Sequence, residues 1–273
     1  MEPKLYTTPP YTIPWPYIIT NPRRRRWILS YLRKHKKHIG SIIIDSGVEI
    51  FRSRNGEYPG GSEKWFGRML ELKKAISSIV DAEIWVVSPD YPSDYPGNPI
   101  PNNIERTLRV LRWVEKTHGT EGVIAVVQGK PIWMDQNLET FIWALKQYRE
   151  AGVLKKYGYV ALGTVCTLSS IRLRGIREET AITWIKKSVE LLRRETNSKI
   201  HVFGLWLRAL RTVKNMITSF DSQAWTRPVT RKLKKNWSAK NTREREQYFW
   251  AWVERYLGIV RQKTLNIKHI AFS

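Results

Sequence analysis

The sequence predicts an α/β protein in which helices cover both faces of a parallel sheet. Six short apolar segments recur along the 273-residue chain. They begin roughly 20–45 residues apart, and each is followed by a helical pattern, as expected for parallel strands with crossover helices. Two further units would close a (β/α)8 barrel. The periodicity alone also fits an open, doubly wound sheet.

The N-terminal part of the chain consists of two segments that differ in composition. Residues 1–22 are rich in proline and aromatic residues, which predicts an extended arm packed on the body, with Tyr17–Thr20 as a short candidate strand. Residues 23–37 contain eight basic residues and no acid. Their apolar positions recur at helical spacing, so a basic amphipathic helix is expected here.

The remaining strands and helices alternate in order. Strands are expected at residues 41–45, 83–88, 122–128, 158–163, 199–204 and 216–220. Helices are expected at residues 63–80, 102–118, 138–151, 178–195 and 207–215. Ser62 is a suitable N-cap for the first of these helices. Two segments are weak candidates for the two strands that would bring the total to eight: Tyr17–Thr20 and Ile267–Phe272.

Charge is the most informative feature of the composition. The chain has 47 Lys and Arg against 24 Asp and Glu, a net charge of +23. Because the excess is clustered, it indicates a polyanionic partner such as nucleic acid; the alternative is a solvated basic surface without such a partner. No apolar run approaches the roughly 20 residues that cross a bilayer, and no signal peptide is recognisable, so a cytoplasmic protein without a membrane partner is expected.

A second basic segment covers residues 226–263, with eleven basic residues, three acids and interleaved aromatic residues. Such a segment can hold phosphates and stack bases. Trp252 and Tyr256, four residues apart, are better explained as core residues of an amphipathic helix. Nucleic-acid contacts are expected from Arg23, Arg24, Arg25, Arg26, Trp225, Arg227, Arg231, Lys232, Lys234 and Lys235.

Polar residues and glycines stand at the expected carboxyl ends of the strands, where parallel α/β proteins carry their chemistry. These residues are Asp45, Asp90, Gln128, Gly163, Gly204 and Asp221. Each aspartate alone could cap a helix or a turn. Two carboxylates on one rim favour glycosyl chemistry, in which one attacks an anomeric carbon and the other moves a proton. An amide and a third carboxylate can bind the polar edge of a guanine-like base.

Five motifs occur in order between residues 41 and 228. They are Ser-Ile-Ile-Ile-Asp-Ser-Gly (41–47), Val-Val-Gln-Gly (126–129), Ala-Leu-Gly (161–163), Val-Phe-Gly (202–204) and Ser-Phe-Asp-Ser (219–222). Their order and spacing resemble the tRNA-guanine transglycosylase superfamily. The segments 89–92 and 102–108 are most similar to the branch that inserts 7-deazaguanines into DNA. The resemblance implies a (β/α)8 TIM-type barrel that exchanges bases without a cofactor.

The resemblance also implies roles for individual residues. Asp221 matches the nucleophile that attacks C1′ of the target guanosine. Asp45 matches the general acid/base that serves the leaving and incoming bases. Asp90 and Gln128 match residues that read the edge of the purine base. Gly163 and Thr164 match residues whose backbone contacts the base, and Phe203 matches a hydrophobic residue that lies against it.

The chain departs from the family pattern in two respects. The glycine and stacking aromatic that follow Asp45-Ser-Gly in the family are replaced by Val48-Glu49-Ile50. The Cys-rich zinc subdomain of the tRNA enzymes has no counterpart, because the single cysteine, Cys166, precedes Asp221. No C-terminal RNA-binding domain fits in the remaining residues either. These departures favour DNA over tRNA as the substrate, and no metal is expected.

The sequence therefore predicts a single barrel domain over residues 1–273. Its expected activity is a DNA guanine transglycosylase that replaces guanine with a 7-deazaguanine such as preQ0. The expected partners are DNA and the free 7-deazaguanine base, with a helicase or ATPase that opens the duplex as a further candidate. Two alternatives remain: the same exchange on tRNA, and a non-catalytic nucleic-acid-binding barrel, for which the altered residues 48–50 are the best support.

Overall fold

Eight parallel strands form the centre of the structure, a computed structural model that describes residues 2–47, 56–92, 100–130, 132, 134–163, 165, 175–222 and 242–261. The strands are β1 (Lys4–Tyr6), β2 (Tyr17–Thr20), β3 (Ser41–Ile44), β4 (Glu83–Val87), β5 (Val123–Val127), β6 (Tyr159–Leu162), β7 (Lys199–Val202) and β8 (Ser219–Asp221). They pair in the order β1-β8-β7-β6-β5-β4-β3-β2. The six strands predicted from apolar runs are therefore confirmed, with ends that differ by up to three residues.

The two outer strands of this order also meet. Thr7 and Ile18 form a parallel bridge. The Thr7 N–H donates to the Tyr17 carbonyl at 3.2 Å, and the Ile19 N–H donates to the Thr7 carbonyl at 3.1 Å. The sheet is thus a nearly closed barrel, which confirms the (β/α)8 fold and excludes the open, doubly wound arrangement.

Helices alternate with the strands from β2 onwards. They are α1 (Arg25–His35), α2 (Ser62–Ser77), α3 (Ile100–His118), α4 (Glu139–Glu150), α5 (Val153–Lys156), α6 (Glu178–Glu195), α7 (Leu207–Val213) and α8 (Thr242–Arg261). Each predicted helix is confirmed to within a few residues. In the part of the chain that the structure describes, none is long and apolar enough to cross a bilayer.

The candidate strand Tyr17–Thr20 is confirmed as β2. The prediction of an extended arm over residues 1–22 is corrected, because this segment also contributes β1 to the barrel. The connection between these strands is held against α1. The Tyr31 hydroxyl donates to the Ile13 carbonyl at 2.7 Å and accepts the Trp15 N–H at 2.9 Å. A strand of three residues is too short to produce a recognisable period, so sequence reasoning missed β1. The other candidate strand, Ile267–Phe272, lies outside the described residues.

The start of α2 also differs from the prediction. Gly61 occupies the N-cap position with a φ of 88°, and Ser62 is the first helical residue. The predicted serine cap was wrong because the chain enters the helix through a left-handed conformation, which glycine adopts readily and serine rarely does.

Helix α8 closes the outer layer beside β1 and β8. Phe249 packs edge-on against Trp15 with ring centroids 5.4 Å apart. Tyr256 contacts Phe220 at 5.8 Å, and its hydroxyl donates to the Pro3 carbonyl at 2.7 Å. Trp252 and Tyr256 are both buried, which confirms that they face the core.

An ion cluster lies at the amino ends of the strands. Glu83 accepts from Lys199 Nζ at 2.9 Å and from Lys4 Nζ at 3.3 Å. Burial alone would raise the pKa of the Glu83 carboxyl, but the two lysines outweigh this effect and lower it below the ordinary value. These ion pairs join the first residues of β1, β4 and β7 at the amino end of the barrel.

Candidate active site at the carboxyl ends of the strands

The first polar cluster forms where β3, β4 and β5 end. Asp90, which is only 2% exposed, accepts hydrogen bonds on both carboxylate oxygens. Ser46 Oγ donates to Oδ1 at 3.0 Å, and Gln128 Nε2 donates to Oδ2. The Tyr58 hydroxyl donates to the Asp90 carbonyl at 2.8 Å and accepts the Asp90 N–H at 3.3 Å. These contacts hold both the backbone and the side chain of Asp90 in one orientation.

Two tyrosines report on the electrostatics of this cluster. Burial raises the pKa of Tyr58 well above its ordinary value, and the negative charges of Asp90 and Asp45 raise it further. Burial, followed by the charge of Asp90, also raises the pKa of Tyr148. Both phenols therefore stay protonated at neutral pH.

Three buried polar atoms without a hydrogen-bond partner in the described part of the protein belong to the last residue of a strand or to the residue directly after one: Thr20 Oγ1, Ser88 Oγ and Gln128 Oε1. A buried polar atom without a partner costs roughly 1–3 kcal/mol. Rotating the Gln128 amide would not remove the cost, because its nitrogen would lose Asp90 as an acceptor. Each of the three residues ends or follows a strand, so the unpaired atoms are positioned where a ligand could satisfy them.

Gly163, which follows β6, packs directly against Gln128. A Cβ at this position would lie 2.9 Å from Gln128 Cγ and 3.0 Å from Val126 Cγ1. The Gly163 N–H donates to the Val127 carbonyl at 2.9 Å, and its carbonyl accepts the Val165 N–H at 2.8 Å. The structure thus explains the glycine by close packing, and its contact with a bound base stays a prediction. Thr164 lies outside the described residues.

The second polar cluster surrounds Asp221, the last residue of β8. Its side chain is 15% exposed, and Oδ1 lies 3.3 Å from His201 Nε2. The Gly204 N–H donates to the same oxygen at 2.8 Å. Phe203 is half-buried and packs edge-on against the His201 ring, with centroids 4.6 Å apart. Asp221 is therefore held on one oxygen while the side chain remains partly accessible.

The strand order relates these clusters to each other. Asp45 follows β3, is partly exposed, and is fixed through its N–H, which donates to the Thr20 carbonyl at 2.7 Å. Because all strands are parallel, Asp45 shares one rim with Asp90, Gln128 and Asp221. In the ring of eight strands, β4 lies opposite β8. The buried Asp90–Gln128 pair and the Asp221 carboxylate therefore stand on opposite sides of one mouth.

Sequence reasoning missed His201, which lies inside β7. The register pairs His201 with Ser219 on β8, so these two side chains and Asp221 share the inner face of the barrel. A histidine within an otherwise apolar strand pattern was the available signal. Its meaning depends on which strand pairs with β7, and the local sequence does not contain that information.

The arginine run Arg23–Arg26 lies on the same rim, in the turn that follows β2 and the first residues of α1. All four side chains are exposed. Arg24 Nη1 donates to Thr8 Oγ1 at 3.0 Å, and none of the four is ion-paired with a carboxylate in the ranges described. The other expected nucleic-acid contacts lie outside the described residues: Trp225, Arg227, Arg231, Lys232, Lys234 and Lys235.

Comparison with known proteins adds no assignment. No protein-family model matches the chain, and no curated protein matches it either. Within the described ranges, no group of three or more His, Cys, Asp or Glu side chains could hold a metal ion.

Proposed function

We propose that the protein is a DNA guanine transglycosylase that exchanges guanine for a 7-deazaguanine base such as preQ0. One observation carries the proposal: Asp221, held on one oxygen and partly accessible, stands across the barrel mouth from the buried Asp90–Gln128 pair. The first group has the properties of a positioned nucleophile, and the second those of a base-reading site.

The proposed reaction has two balanced steps. The target nucleotide leaves the base stack, and an Asp221 oxygen attacks C1′. The C1′–N9 bond breaks, its electron pair goes to guanine, and protonated Asp45 gives guanine a proton. The intermediate is an ester between Asp221 and deoxyribose. The incoming base then gives its N9 proton to Asp45, and its N9 attacks C1′ and releases the Asp221 carboxylate.

The Asp90–Gln128 pair supports guanine-like bases as substrates. The Watson–Crick edge of guanine presents N–H donors, and a 7-deazaguanine retains them. Gln128 Oε1 is a buried acceptor with no partner within the described residues, and Asp90 supplies carboxylate oxygens beside it. A base that lacks the donors would leave these acceptors unpaired, which is how such sites discriminate.

The catalytic proposal is tested by Asp221→Asn, with Asp81→Asn as the matched control because Asp81 is exposed and precedes β4. The assay measures incorporation of labelled guanine into DNA, and mass spectrometry detects the covalent adduct. Asp221→Asn is expected to lose both signals and to keep the wild-type circular dichroism spectrum, since it removes only the nucleophile. Wild-type incorporation by Asp221→Asn would sink the assignment.

The DNA partner is supported by the exposed arginine run Arg23–Arg26 on the catalytic rim. The double variant Arg25→Gln/Arg26→Gln removes two of its charges. Lys36→Gln/Lys37→Gln removes two charges beyond the other end of α1, roughly 16 Å away for an eleven-residue helix. The first variant is expected to weaken duplex binding more and to reduce the salt slope by up to about 0.9 per lost phosphate contact.

Equal effects of the two double variants would indicate a general basic surface rather than a binding rim. A wild-type affinity that is independent of salt would refute the nucleic-acid partner altogether. Parallel assays with duplex DNA and tRNA decide between the two polyanions. Affinity without exchange on either substrate would instead support a non-catalytic nucleic-acid-binding barrel.

A further inference from the structure

A chain of hydrogen-bonded side chains runs through the barrel interior and ends at Asp221. Tyr159 Oη on β6 bonds to Ser219 Oγ on β8. Ser219 Oγ lies 2.7 Å from His201 Nδ1, and His201 Nε2 lies 3.3 Å from Asp221 Oδ1. Tyr159 is 2% exposed, and His201 and Ser219 are 0% exposed. The chain is therefore shielded from solvent up to the carboxylate.

The chemistry of the four groups determines where the protons lie. An ionised carboxylate only accepts hydrogen bonds, so His201 Nε2 must carry a proton. Ser219 has a proton of its own to donate to Nδ1, and Tyr159 can donate to the serine oxygen. A neutral imidazole satisfies every link and avoids a buried cation. All three protons then point along the chain towards Asp221.

We propose that His201 is a positioning residue, a neutral imidazole protonated on Nε2. It donates a hydrogen bond to Asp221 Oδ1 and thereby leaves Oδ2 as the attacking oxygen. The Gly204 N–H, 2.8 Å from Oδ1, supplies the second donor. The inference rests on the proposed role of Asp221 as the nucleophile. It assigns the two oxygens of that carboxylate different tasks.

The arrangement has a consequence for the second half of the reaction. In the covalent intermediate Oδ2 is bonded to C1′, and Oδ1 becomes the carbonyl oxygen of an ester. That oxygen carries less negative charge than in the free carboxylate, so the two donors bind it less strongly. The donors thus favour release of the carboxylate. Removal of the His201 donor is expected to raise the equilibrium ratio of adduct to free enzyme roughly three- to tenfold.

The test uses His201→Phe, which keeps an aromatic ring but no donor, and His201→Gln, which keeps an N–H group. His38→Gln is the control because His38 is exposed. His201→Phe is expected to lower kcat with little change in KM for DNA, and to accumulate adduct when no incoming base is added. His201→Gln is expected to restore part of the wild-type kcat and adduct ratio, a rescue that loss of packing alone would not give.

A second readout does not depend on activity. Nitrogen-15 spectra of the histidine rings distinguish a protonated Nε2 from a protonated Nδ1, and the His201 signals are those lost in His201→Gln. The expected result is a neutral ring with Nε2 protonated in the wild type. In Ser219→Ala the resonance of Nδ1 is expected to shift, because its donor is gone. This variant also keeps the test decisive if His201→Phe does not fold.

The outcomes separate the two proposals. An Nδ1-protonated ring, or a folded His201→Phe with wild-type kcat and adduct ratio, would overturn the role of His201. A wild type with no exchange and no adduct on any nucleic acid would overturn the transglycosylase proposal. In that case the ring spectra still decide whether His201 donates to Asp221.

Discussion

Replacing Gly163 by alanine tests whether close packing holds the Gln128 side chain against Asp90. The added Cβ would lie 2.9 Å from Gln128 Cγ, 3.0 Å from Gln128 Cδ and 3.0 Å from Val126 Cγ1. These separations are shorter than the roughly 3.5–4.0 Å at which carbon atoms attract each other best. Gln128 is 2% exposed and Val126 is 1% exposed, so neither side chain can move into solvent.

The expected cost follows from the two ways in which the clash can relax. Overpacking a buried site typically costs about 1–3 kcal/mol. If Gln128 moves instead, its bond to the Asp90 carboxylate breaks, and hydrogen bonds to charged groups contribute roughly 1.5–3 kcal/mol. We therefore expect Gly163→Ala to lower the free energy of unfolding by roughly 1–3 kcal/mol. Under the proposed function it would also weaken binding of the free base.

Urea denaturation measures this change, and Gly158→Ala is the matched control. Gly158 precedes the same strand, β6; its φ lies outside the left-handed region, and nothing lies within 4 Å of an added Cβ. The control is expected to be neutral or to stabilise by up to about 1 kcal/mol. Equal stabilities for the two variants, with base affinity unchanged, would refute the packing argument.

Three further predictions concern the rim and the opposite end of the barrel. Tyr58→Phe removes the hydroxyl that bonds to the Asp90 backbone and should lower the free energy of unfolding by about 1–3 kcal/mol, whereas Tyr11→Phe, at an exposed position, should change it little. Glu83→Gln should reduce stability at neutral pH by under about 1 kcal/mol per ion pair, since the pairs are partly exposed. Because the pKa of Glu83 is lowered in the folded protein, this difference in stability is fully present above the ordinary pKa of 4.5. It is lost as the pH falls through the folded-state pKa. Asp45→Asn should slow exchange strongly while still permitting a trapped adduct.

Each of these predictions has a contrary outcome. If urea denaturation gives the same free energy of unfolding for Tyr58→Phe and Tyr11→Phe, the Tyr58 hydroxyl does not support Asp90. A stability difference between wild type and Glu83→Gln that grows at acid pH would contradict the pH dependence expected from a Glu83 pKa that the two lysines lower. Absence of any adduct in Asp45→Asn, with DNA binding intact, would count against a general acid/base role for Asp45.

Much of the candidate site could be predicted because it consists of the residues that end each strand. Asp90 and Gln128 each follow an apolar run, and parallel strands bring such ends to one rim. The contacts that orient these side chains could not be predicted in the same way. Ser46 and Tyr58, which hydrogen-bond to Asp90, lie 44 and 32 positions from it along the chain. Only the folded chain brings these residues together.

By itself, the sequence determined the alternation of strands and helices and the identity of the residue at each strand end. Both depend on local apolar runs and local periodicity. Only the tertiary structure decided that Lys4–Tyr6 is a strand and that it helps to close the barrel, because three residues become a strand through their pairing with β8. It also decided that His201 meets Asp221, 20 residues away, since the register of β7 against β8 sets that contact.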